Sequence, residues 1–91
     1  MNIKVKFFAS FREAFGARER DLTFPEGAPV RSLLEAIADS PRRRAELFAG
    51  DELKPLVIVM KNATSINSLR GLDTPLADGD VIAVFPFMTG G

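Results

Sequence analysis

The sequence predicts an α+β roll: one mixed sheet of four to five strands, a main helix packed across it and a short second helix. Three observations carry this. Residues 2–8 alternate apolar and polar, the period of a half-buried strand. Val30, Leu33, Leu34 and Ile37 fall at i, i+3, i+4 and i+7, which is one stripe on a helix. Two further apolar runs, at 56–60 and 81–85, follow that helix in a chain of 91 residues, long enough for one small core and too short for two.

Within the opening strand Ile3, Val5 and Phe7 share one face, while Asn2, Lys4 and Lys6 share the other. Parity puts Phe8 with the lysines, so it is expected as an exposed aromatic. Residues 9–15 have room for about one helical turn before Gly16, with Phe11 and Phe15 four apart on one side. Residues 18–24 read as a second strand returning antiparallel, with Leu22 and Phe24 inward. Pro25-Glu26-Gly27-Ala28-Pro29 is a turn, and Pro29 suits the first position of the main helix, where its missing N–H costs nothing. Arg31, Ser32, Glu35 and Asp39 occupy the side opposite the apolar stripe. Ser40-Pro41 places a capping residue before a proline and starts a short helix to about Phe48, ending near Gly50. Arg42-Arg43-Arg44 on that helix suits an acidic partner patch or, more plainly, a solvated face.

Leu56-Val57-Ile58-Val59-Met60 is continuously apolar, as expected of a strand buried on most sides inside the sheet. Residues 61–79 are patterned loosely and suggest a short edge strand and a structured turn, closed by Asp78-Gly79-Asp80. The last strand, 81–85, has apolar residues on both faces. Alternation therefore leaves open whether Ile82 and Val84, or Val81, Ala83 and Phe85, face the helix. Pro86 is expected to end its pairing. A right-handed helical crossover lets the third strand join the sheet with the first and last strands parallel at the centre, a roll of the ubiquitin type. The expected division is a domain over 1–86 and a flexible tail over 87–91.

Composition narrows the function. Twelve basic residues balance twelve acidic ones, and 46% of residues are hydrophobic, which suits a folded domain and gives no reason to expect nucleic acid or membrane as a partner. The run at 56–60 falls far short of the about 20 residues of a membrane span. The first residues alternate instead of forming a signal-peptide block, so a cytoplasmic location is expected. Cys, His, Trp and Tyr are all missing. That removes thiolate nucleophiles, imidazole bases and nearly all zinc and transition-metal sites. The Asp and Glu residues are scattered, so no self-contained active site and no cofactor bound by the chain are expected. What remains is Val84-Phe85-Pro86-Phe87-Met88-Thr89-Gly90-Gly91. Two closing glycines put a carboxylate on a thread without side chains, able to enter a cleft that any Cβ would block. The plainer reading is a frayed terminus.

Ile3-Lys4-Val5-Lys6-Phe7-Phe8-Ala9-Ser10-Phe11-Arg12-Glu13, Gly71-Leu72-Asp73-Thr74-Pro75-Leu76-Ala77-Asp78-Gly79-Asp80 and the stretch from Phe85-Pro86 to Gly90-Gly91 carry a family resemblance. The chain resembles the small subunits of molybdopterin synthase, within the MoaD–ThiS family of ubiquitin-like β-grasp sulfur carriers, over essentially its whole length. It departs in two places. Phe87 stands where a second proline is usual, and Asn62-Ala63 replaces an Asn-Gly turn, with Ala less comfortable at positive φ.

The resemblance implies a sulfur-carrying subunit rather than an enzyme on its own. Gly91, at the end of the Thr89-Gly90-Gly91 tail, would be adenylated by an E1-like partner using ATP and Mg²⁺. A sulfur donor would then displace AMP to leave a thiocarboxylate. The large subunit of molybdopterin synthase would receive the tail. Residues 87–91 span roughly 16 Å at about 3.3 Å each, enough to reach a recessed site from a docked body. The resemblance also implies that Phe8, Leu69 and Phe85 share one exposed docking surface, with Phe87 beside it, which makes Ile82 and Val84 the buried pair of the last strand. Three other roles stand beside this one: a ubiquitin-like modifier joined to lysines through Gly91, a sulfur carrier for thiamine or cysteine synthesis, and an interaction module whose terminus is incidental.

Overall fold

The computed structural model describes residues 1–87. The chain opens with β1 (Asn2–Phe7), then α1 (Phe11–Phe15) and β2 (Glu19–Thr23), which returns antiparallel to β1 with Ile3 opposite Leu22. Gly16 ends α1 at φ 71°, a left-handed conformation that glycine adopts without steric cost. α2 (Val30–Ile37) and α3 (Pro41–Leu47) follow. Next come the short strands β3 (Phe48–Ala49) and β4 (Glu52–Leu53), then β5 (Val57–Lys61), β6 (Thr64–Ser65), two 3₁₀ turns and β7 (Val81–Pro86). Five strands make one sheet in the order β2-β1-β7-β5-β6, with β1 and β7 parallel at its centre, and β3 and β4 form a separate hairpin.

One core holds this together. Val30, Leu33, Leu34 and Ile37 from α2 are fully buried in a cluster with Ile3, Val5 and Phe7 of β1, Val59 of β5, and Ile82 and Val84 of β7. Burying each such aliphatic side chain stabilises the fold by about 1.5–3 kcal/mol. Phe7 and Phe15 stack with centroids 4.9 Å apart, and Phe11 meets Phe15 edge-on at 5.7 Å. The helical turn after β1 thus closes one end of the core. Ser40 caps α3 as its sequence suggests, its hydroxyl accepting the Arg43 N–H at 3.1 Å.

Several expectations need correction. β1 stops at Phe7, because Ala9 turns the chain at φ 54°. Pro29 is the extended cap of α2, and the first helical residue is Val30. α3 ends at Leu47; Phe48 starts the β3–β4 hairpin, and its ring lies under the Arg44 guanidinium at 4.6 Å. The run at 56–60 is not buried on most sides: Val59 alone is buried, Leu56 is exposed, and Ile58 and Met60 are half-buried. Pro86 does not end the pairing. It stays opposite Val57, and the Phe87 N–H donates to the Leu56 carbonyl at 2.6 Å. Antiparallel alternation leaves the Val57–Pro86 pair with no ladder bond to make, so a proline fits there. The arginine run is only partly a solvated face. Arg43 donates to Asp39 and to the Ala14 carbonyl, and Arg44 pairs with Glu35 and the Gly50 carbonyl.

Among the described residues no helix is long and apolar enough to cross a membrane, and no cluster of Asp and Glu is able to hold a metal ion.

Candidate docking groove

The two faces of the sheet differ in what covers them. Ile3, Val5, Phe7, Val59, Ile82 and Val84 point to the helices. The alternate residues of β7, Val81, Ala83 and Phe85, point to an open face, where with Phe8, Ala9, Met60, Asn62, Ala63 and Pro86 they line an almost wholly apolar groove. Ala83 lies between Lys6 of β1 and Met60 of β5 in the strand register. Its small side chain keeps the floor low while Phe8, Met60 and Phe85 raise the walls.

Local structure fixes the aromatic end. The Phe8 N–H bonds the Val84 carbonyl at 3.2 Å, holding Phe8 against β7 before the chain turns at Ala9. The Phe8 ring meets Phe85 edge-to-face with centroids 6.0 Å apart, an arrangement favoured by ring quadrupoles. Arg12 stands over the Phe8 ring at 5.6 Å, with its Nε donating to the Phe7 carbonyl at 3.1 Å. Phe8 remains 38% exposed.

The opposite wall depends on a polar latch beneath it. Asn62 and Ala63 form the β5–β6 turn with φ of 48° and 70°. The Asn62 side chain donates Nδ2–H to Asp80 Oδ1 at 2.8 Å and accepts the Val81 N–H at 2.9 Å. Asp80, 6% exposed, also accepts the Ala77 N–H at 2.7 Å and faces Lys61 Nζ at 3.3 Å. Burial works against the charged form of Asp80. The Ala77 N–H, the Asn62 amide and the Lys61 ammonium outweigh it and hold the carboxyl below its ordinary value.

Phe8 and Phe85 therefore come together. Leu69 is 44% exposed but is not part of the groove lining, and Phe87 is 52% exposed just beyond Pro86. Thr89, Gly90 and Gly91 lie outside the described residues. Sequence reasoning missed Met60 and Ala83, although the parity that singles out Phe8 and Phe85 reaches both through the strand register. A second, polar cleft lies between α1 and α3, lined by Glu13, Ser40, Arg43 and Glu46 among others. Its Arg43 is already held by Asp39 and the Ala14 carbonyl.

The model of the ThiS family matches residues 5–91. The chain belongs to the ThiS family. This ThiS-family chain is 35% identical over 92 residues to small archaeal modifier protein 3 of Haloferax volcanii, the match covering all of both chains. Its structure is similar to the crystal structure of SAMP1 from Haloferax volcanii, with a TM-score of 0.87, 28% identity and full coverage of both chains. It is also similar to a putative molybdopterin converting factor, subunit 1, from Pyrococcus furiosus, at TM-score 0.74 and 33% identity over 97% of this chain and 99% of that one. The fold is the ubiquitin-like β-grasp, and the family is that of ubiquitin-like sulfur carriers and modifiers.

Proposed function

We propose that the chain is a sulfur carrier whose Gly91 carboxylate is adenylated, converted to a thiocarboxylate and used as the sulfur donor in molybdopterin synthesis, as the small subunit of molybdopterin synthase. A carboxylate is resonance-stabilised and a poor electrophile, so it needs activation. ATP and Mg²⁺ on an adenylating partner supply this: the carboxylate takes up AMP, pyrophosphate leaves, and a sulfur donor then displaces the AMP. The observation that carries the reading is the apolar groove. It is built on β7, and the sequence runs on from that strand to Gly90-Gly91, so a partner seated there meets the chain beside the strand that precedes them. Large apolar residues on an open face mark partner surfaces. The 33% identity to a putative molybdopterin converting factor subunit supports the pathway. Holding the reacting atom at one reach from a docked body is a proximity effect, so tail length matters.

The test incubates the chain with the adenylating enzyme, ATP, Mg²⁺ and the sulfur donor, reads the terminus by mass spectrometry, then adds the large subunit with pterin precursor. One oxygen of Gly91 replaced by sulfur, followed by dithiolene product, is the expected result. A chain with one residue appended after Gly91, verified by mass, should fold and fail. Pterin synthesis from that extended chain would sink the reading.

A specific observation favours a second reading. The relative at 35% identity over its full length is a small archaeal modifier protein, and the same adenylate would form an isopeptide bond if a lysine amine displaced AMP. Gly-Gly remnants on lysines of other proteins in the native cell, with no sulfur at the terminus, would favour it.

A further inference from the structure

The groove is apolar, and two cations beside it, Lys6 and Arg12, have no carboxylate within 4.0 Å among the described residues. Lys6, on the open face of β1, lies opposite Ala83 and two residues before Phe8. Its neighbour on β2 is Glu19, yet Glu19 turns to Lys4 at 3.4 Å, and Asp21 lies 4.0 Å from the same Lys4. Among the described residues Lys6 has no carboxylate within 4.0 Å. Arg12 uses its Nε on the Phe7 carbonyl and its face on Phe8, and it too has no acidic partner among the described residues. The nearby acids face elsewhere: Glu13 lines the polar cleft between α1 and α3, Asp78 accepts the Asn2 N–H, and Asp80 is buried against Lys61.

We propose that this groove selects a protein segment of one chemistry, an apolar side chain the size of Leu or Phe flanked by carboxylates. The proposal rests on the reading of the groove as a docking surface. The apolar side chain would sit over Ala83 between Phe8, Met60 and Phe85, and its flanking carboxylates would meet Lys6 and Arg12. Beside an apolar surface that excludes water, those ion pairs strengthen, and a segment flanked by cations is repelled. Charges so placed govern specificity and on-rate more than raw affinity.

The experiment titrates the ¹⁵N-labelled full chain with two blocked peptides that share a Leu-Phe centre, one flanked by glutamates and one by lysines. Amide shifts at Phe8, Met60, Ala83 and Phe85 are expected. The acidic peptide should bind at least about fivefold tighter at low salt, and the preference should vanish near 1 M salt, where charges are screened beyond about 3 Å. It should reverse in a Lys6→Glu, Arg12→Glu variant and weaken in Lys6→Gln, which keeps the stem of the side chain if the double variant folds poorly. Equal affinity for the two peptides, shifts away from the groove, binding of neither, or self-association through the groove would each overturn the proposal. Mass analysis of Gly91 is independent: a terminus that never gains sulfur, with peptide discrimination intact, removes the sulfur-carrier reading and leaves the groove's selectivity standing.

Discussion

Replacing Asp80 by asparagine changes almost no volume and tests the latch under the groove. The carboxylate accepts from the Ala77 N–H and the Asn62 amide through different oxygens, with Lys61 Nζ at 3.3 Å. The introduced amide would keep one acceptor and turn an NH₂ toward the other donor, leaving that donor unpaired in a part-buried place. Hydrogen bonds to a charged group contribute roughly 1.5–3 kcal/mol each, and an orphaned buried donor costs about 1–3 kcal/mol. Loss of one bond, with partial relaxation, gives about 3 kcal/mol. At about 4–8 °C per kcal/mol for a domain of this size, the Tm falls by roughly 12–24 °C. A pH series of thermal melts adds a sign. A carboxyl held below its ordinary value contributes stability that is present above that value and lost as pH falls through the folded one. The gap between wild type and Asp80→Asn should be constant near neutrality and close in acid, where both side chains are uncharged. A Tm unchanged by the substitution, or a gap that widens in acid, would refute the latch.

Leu33→Ala and Ile37→Ala, both at fully buried positions, should each cost about 2–5 kcal/mol in chemical denaturation; two wild-type curves would mean that the helix stripe is not packed. Ala63→Gly relieves a residue held at φ 70° and should raise stability by about 1 kcal/mol, visible as a higher Tm. Phe8→Ala, at an exposed position lining the groove, should weaken association with the adenylating enzyme by about 1–3 kcal/mol in calorimetric titration while melting near wild type. Phe85→Ala should weaken it similarly with some loss of stability, since Phe85 is half-buried; a variant that binds normally would remove its residue from the docking surface.

Elements that press one face on one core were legible in the sequence. β1 and α2 declared themselves because Ile3, Val5 and Phe7, and Val30, Leu33, Leu34 and Ile37, each answer to a single buried side. The β3–β4 hairpin was not legible, since two residues per strand around Gly50 show no period at all. β5 misled for a more instructive reason. Ile58 and Met60 are apolar on the face opposite Val59, and a run apolar on both sides reads as two-sided burial, whereas Met60 here lines an open groove. A docking surface and a second core leave the same mark on a strand, and only the aromatic out of step, Phe8, hinted which it was. The partners of Arg43 and Arg44 were hidden because the Ala14 and Gly50 carbonyls and Glu35 lie on other elements, brought near by packing alone.

The parallel pairing of β1 with β7 sets a condition on synthesis. Residues 4–7 find their central neighbour only in residues 81–84, so the sheet cannot close around Ile82 and Val84 until the chain has been made as far as residue 84. Such distant pairings carry a large loop-closure cost and slow folding. A product broken off before residue 81 would lack the middle of its sheet and leave β1 and β5 with bare edges, a substrate for proteolysis rather than a stable competitor for partners. By this topology the folded state certifies its own last strand: a partner that recognises the assembled groove has, in the same contact, checked that the strand leading to the tail is there.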